Sequence, residues 1–163
     1  MIRVQEVAPE IDAGPLLSGA QFIDAFRVDL EGRAIDARNA AERMMGHSPA
    51  WIEALLTLRH ILVAPFGLKT SGKSENPPRE TIGLFPILTQ TPDRLVAGFN
   101  DKHLDFRVVV DVAAAGPGSQ TGQRVTATTL VKTHNVFGRL YLAIILPFHR
   151  LIVPAMLRKV VVG

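Results

Sequence analysis

The 163 residues carry 47% hydrophobic and 20% charged side chains, the balance of a globular chain long enough to bury a substantial core. There is no cysteine, which excludes disulfides, thiolate nucleophiles, zinc–cysteine sites and iron–sulfur clusters and points to a reducing, cytoplasmic setting. The formal net charge is +3, but residues 1–111 hold twelve Lys/Arg and all fifteen Asp/Glu, while residues 112–163 hold six Lys/Arg and no acid.

A +6 block therefore sits on a −3 body (twelve basic against fifteen acidic residues). Such asymmetry suits an anionic partner: a ligand carboxylate or phosphate, a membrane surface or nucleic acid. The competing reading is that spaced charges simply keep an apolar segment in solution. The first residues, MIRVQEVAPEID, have no apolar run and carry three acids, so no secretory signal is expected.

In chain order, Gln21–Asp29 alternates as a strand, with Phe22, Asp24, Phe26 and Val28 on one face. Asp36 then reads as the N-cap of a helix buried through Ala37, Ala40, Ala41, Met44 and Met45, with Gly46 at its end. Ser48-Pro49 opens a second helix, with Trp51, Leu55, Leu58 and Leu62 as its core face and Pro65 and Gly67 closing it. Residues 69–80 read as a polar loop. Strands follow at Ile82–Gln90, Arg94–Phe99, His103–Ala113 and Arg124–His134, with a turn at Thr91-Pro92-Asp93 and a Gly/Pro/Ser loop at 113–123.

The last segment, from His134 on, is the most apolar and raises the question of a membrane anchor. A spanning helix needs about 20 largely uncharged residues. The longest uncharged run here, Leu140–Phe148, has nine, and His149 and Arg150 follow it. Helical spacing groups Phe137, Tyr141, Ile144, Phe148, Leu151, Ile152 and Ala155, with Arg139 and Arg150 on another side. The expectation is a core helix with a polar edge, bent by Pro147 and Pro154, and no transmembrane segment. The resulting fold is α+β and a single domain over 1–163: an antiparallel sheet of five or six strands curved around a long C-terminal helix, with two short helices after the first strand.

The stretches AQFIDAFRVDL (20–30), SPAWIEALLTLRHILVAPFGL (48–68), NDKHLDFRVVV (100–110) and VKTHNVFGRLYLAIILPFHRLIV (131–153) resemble the bacterial family called domain of unknown function 2867. The resemblance covers roughly residues 15 to 160, and it implies no established activity. The element order is also similar to the helix-grip, or START-like, superfamily. That similarity implies a small hydrophobic or amphipathic ligand held between sheet and helix, on fold analogy alone.

The residues themselves offer two candidate constellations. His103, Asp105 and Arg107 share one strand face, and a short hairpin places His134 near residues 102–104. Facing inward, His103, Asp105 and His134 would be catalytic, a general base oriented by an acid. Facing outward, with Leu104, Phe106 and Val108 in the core, they would be an ordinary solvated row. Arg107, Arg139, Tyr141, His149 and Arg150 are candidate ligand-binding residues, the arginines for a carboxylate or phosphate. The alternative is that Arg139 and Arg150 bond carbonyls freed by the prolines or pair with Asp24 and Asp105.

No cofactor or metal is implied: the five histidines show no HxH or HExxH spacing, and no glycine-rich nucleotide fingerprint is present. No nucleic-acid partner is expected either, because the phenylalanines follow apolar periodicity. The reading is therefore a domain that binds a small amphipathic or anionic molecule. Its competitors are an enzyme of hydrolase, cyclase or isomerase type, and a homodimerising interaction domain.

Overall fold

In the computed structural model the described residues are 2–32, 34–46, 80–83, 85–100, 102–116 and 122–162. The helix expected at 48–67 and nearly all of the 69–80 loop lie outside them. Seven strands form one antiparallel sheet: β1 (Gln5–Val7), β2 (Phe22–Glu31), β3 (Thr81–Ile82), β4 (Phe85–Gln90), β5 (Arg94–Asn100), β6 (Leu104–Ala114) and β7 (Gly122–Thr133). Their spatial order is β1-β2-β7-β6-β5-β4-β3. Among the described residues three helices accompany the sheet: α1 (Ala13–Leu16, a single turn), α2 (Ala37–Met45) and α3 (Val136–Val162).

The α+β class and the long C-terminal helix are as expected, but the sheet has seven strands rather than five or six. Gly83, at φ 59°, splits the expected Ile82–Gln90 strand into a β3–β4 hairpin. The short β1 pairs with β2, and three residues were too few for alternation to reveal it.

Local chemistry explains the elements that were legible. Asp36 Oδ1 accepts from Asn39 N at 2.7 Å and caps α2, whose Ala37, Ala40, Ala41, Met44 and Met45 are all buried. The Thr91–Arg94 turn is closed by Thr91 N donating to Arg94 O at 2.7 Å and by Arg94 N donating to Thr91 Oγ1 at 3.0 Å. Alternation then divides the sheet. Phe26 and Val28 of β2, Val125 and Ala127 of β7, Val108 and Val110 of β6 and Leu95 and Ala97 of β5 form the main core with α2 and α3.

The other face is not simply solvated. Val96, Val109 and Leu130 are buried there beneath Leu17, with Ile11, Ala13 and Leu16 packed alongside. The N-terminal segment thus covers the centre of that face and leaves polar residues toward its ends.

The expected buried stripe of α3 is corrected. Phe137, Ile144, Phe148 and Leu151 are 52%, 58%, 41% and 67% exposed, whereas Gly138, Val153, Leu157 and Val160 are the buried residues. The helix is apolar all round, so a period of 3.6 residues cannot select which face meets the sheet. α3 therefore buries mainly its C-terminal half, against both α2 and the sheet, and Arg43 of α2 donates to the Val160 carbonyl at 3.0 Å. It runs through Pro147 and Pro154 without a break.

The start of α3 is set by a close approach. A Cβ at Gly138 would collide with the His103 carbonyl oxygen. Gly138→Ala should therefore lower unfolding stability by about 2 kcal/mol, as overpacking against fixed backbone does. Urea denaturation of wild type and variant measures it; an unchanged midpoint would show that the helix start can shift freely.

Candidate functional site

Asp24 lies on the helix side of β2, between Phe22 and Phe26, and is 8% exposed. A lone carboxylate there would lose its hydration without compensation. His149 of α3 supplies the partner: Nε2 lies 3.1 Å from Oδ1 and 3.0 Å from Oδ2. The Phe22 ring meets the imidazole edge-on, with centroids 5.9 Å apart. The midpoint of the helix is thereby tied to β2, the strand next to the β1 edge of the sheet.

An aromatic row runs beside this pair. The sheet register sets Phe22 opposite Val131, Val131 opposite Phe106, and Phe106 opposite Phe99. Phe85 joins them, its ring centroid 5.1 Å from that of Phe106 and 6.1 Å from that of Phe99. Phe22, Phe85, Phe99 and Phe106 are all only half-buried. The row sits one register step from Asp24, so aromatic surface and a polar pair adjoin on the side of the sheet that α3 occupies.

The His103, Asp105 and Arg107 row has a different setting. Leu104 and Val108 are buried, and Phe106 packs against the main core. Asp105 and Arg107 alternate with them, on the sheet face away from α3. The hairpin register is as expected: Leu104 pairs with Thr133, and His134 N donates to His103 O at 2.9 Å. His134 Nε2 and Asp105 Oδ1 are 3.0 Å apart.

The His103 side chain turns elsewhere, to the N-terminus of α3. Asn135 Oδ1 accepts from Gly138 N at 3.0 Å, so its Nδ2 is the atom facing His103 Nδ1, 2.7 Å away. Nδ1 must then be the acceptor, and the ring proton sits on Nε2. Asn135 is thus both a helix cap and the fixture for His103, a role that the sequence signal "Asn before an apolar run" announces.

Arg107 spends its Nη1 on the Phe99 and Phe106 carbonyls, at 3.2 and 2.9 Å. Burial lowers its pKa from the ordinary arginine value, opposed by the nearby Asp105 charge. Its cross-strand partner is Gly98, where a Cβ would collide with the Phe106 carbonyl oxygen.

Arg139 and Arg150 are exposed, and Tyr141 is half-buried on α3. Asp24 and Asp105, the acids considered as arginine partners, are both taken by histidines. The five ligand-binding candidates therefore do not form one cluster: His149 meets the sheet, Arg107 lies on its other face, and the two α3 arginines point outward. Among the described residues no three His, Asp or Glu side chains group as a metal site would. An open depression of about 540 Å³ at the start of α2, lined by Asp36, Asn39, Arg43 and Asp93 among others, contains none of the candidate residues.

The two Asp–His pairs should differ in energetic weight. Removing one partner of a buried pair strands the other, so Asp24→Ala should cost about 3 kcal/mol. Asp105→Ala, beside a partly exposed His134, should cost about 1 kcal/mol or less. Urea unfolding at pH 7 separates them, and equal losses would contradict the assignment.

Comparison with curated proteins and with solved structures finds no match for the chain. A family model described as protein of unknown function (DUF2867) matches residues 16–156, from just before β2 into the last turns of α3. The match takes in β2 with Asp24, β6 and β7 with the His134–Asp105 pair, and α3 through His149, and the chain belongs to that family.

Proposed function

We propose that the protein binds a small amphipathic molecule between the sheet and α3, with His149, held by Asp24, as its main polar contact. The observation that carries this is the half-buried aromatic row of Phe22, Phe106, Phe99 and Phe85 beside the buried Asp24–His149 pair. Binding sites for small molecules are mostly apolar, with a few fixed polar groups to orient the ligand. Nε2 of His149 is committed to Asp24, which orients the imidazole and leaves Nδ1 as its second polar atom. Tyr141, eight residues earlier and half-buried on the same helix, is the second polar group we assign to the ligand. The order of sheet followed by a long C-terminal helix resembles that of the helix-grip superfamily and supports the same reading by analogy alone.

A second reading is an enzyme using His134 with Asp105. It rests on their 3.0 Å approach, which is the geometry of an imidazole base oriented by a carboxylate. It would place chemistry on the opposite sheet face, so the two readings predict different sensitive residues.

Native mass spectrometry of the freshly purified chain tests the first reading. The expected result is an amphipathic or acidic adduct, whose re-addition to stripped protein raises Tm. His149→Gln should reduce its occupancy about tenfold, the loss of one well-placed polar contact. Full occupancy in that variant, or an adduct-free protein whose Tm no amphipathic extract raises, would contradict the reading.

A further inference from the structure

We propose that the outward face of α3 docks on an anionic membrane surface, lying along it rather than crossing it. Phe137, Leu140, Ile144, Phe148 and Leu151 are all exposed and recur at spacings of three, four, four and three residues. That spacing draws one continuous apolar stripe about 20 Å long. It lies on the side of the helix away from His149, Val153, Leu157 and Val160, which meet the sheet and α2. Docking on the stripe therefore leaves the protein's own core undisturbed.

Charge selects the occupant. α3 carries Arg139, Arg150, Arg158 and Lys159 and no acid. A second copy paired through the same stripe would set this all-cationic helix against its equal, because an isologous contact repeats the same surface on both sides. Residues 47–79 of the chain are no better matched, with four Lys/Arg against two Asp/Glu. Anionic lipid headgroups complement the helix, and their acyl layer receives Phe, Leu and Ile side chains.

The helix is long and apolar enough to cross a membrane, but its midpoint is bound to the sheet through His149 and Asp24. Crossing would break that pair and carry Arg150 into the hydrocarbon layer. Lying on the surface breaks nothing and turns the exposed Arg158, which helical spacing places in line with the stripe, toward the headgroups.

Co-sedimentation of the full chain with phosphatidylcholine vesicles, with and without about one third phosphatidylglycerol, tests this. Binding to the anionic vesicles is expected, at least about tenfold weaker on neutral ones and in high salt. Ile144→Glu with Leu151→Glu should abolish it, and Arg158→Glu should weaken it about tenfold. Equal retention on both vesicle types, or binding unaffected by either of these variants, overturns the proposal. A wild-type dimer dispersed by Ile144→Glu with Leu151→Glu also overturns it, in favour of a second copy. Loss of thermal stability by that variant without vesicles overturns it in favour of cover by the chain's own residues 47–79.

Discussion

Burying a carboxylate on the helix side of a sheet is costly unless a donor meets it there, and the Asp24 oxygens face Nε2 of His149, the midpoint of α3. This pair determines which face of the helix turns inward. Once His149 faces β2, the residues about one turn, two turns and three turns on, Val153, Leu157 and Val160, follow it into the core. The stripe from Phe137 to Leu151 is then committed to the outside. Apolar burial alone would not have chosen between these faces, since both are apolar. A polar contact supplies the specificity that hydrophobicity lacks here.

The N-terminus of α3 is fixed by a second polar arrangement. Asn135 caps the helix and holds His103, while Gly138 lets the first turn press on the His103 carbonyl. The helix is thus anchored at its start and its middle by side chains from β2 and from the approach to β6. Between the anchors, Tyr141, Leu142, Ile145 and Leu146 are only partly covered. The aromatic row on the sheet faces the same side, and this is where we place a ligand.

Much of the fold was legible in the sequence because β2, β5, β6 and β7 alternate over seven or more residues and α2 has a distinct apolar stripe. The hairpin register that sets His134 beside residue 103 was likewise readable, since loop length fixes it. The inward face of α3 was not, because its apolar residues surround the helix. The role of the polar strand row depended on what covers the other sheet face. The N-terminal residues Ile11, Leu16 and Leu17 do so over Val96, Val109 and Leu130, and no local pattern near β6 announces that. Asp24 stood in plain view at an inward strand position. A buried-face acid matched to a histidine 125 residues later is a signal that only three-dimensional packing joins.

Hydrogen exchange of the native protein, wild type against Asp24→Asn, tests most directly whether the Asp24–His149 pair seats α3. In the wild type, amides from His149 to Val160 should exchange only through global unfolding, at the same free energy as the central strands. In Asp24→Asn the same stretch should open locally while β6 and β7 keep their protection. Unchanged protection of α3 in the variant would contradict the account and leave apolar packing alone as what holds the helix in place.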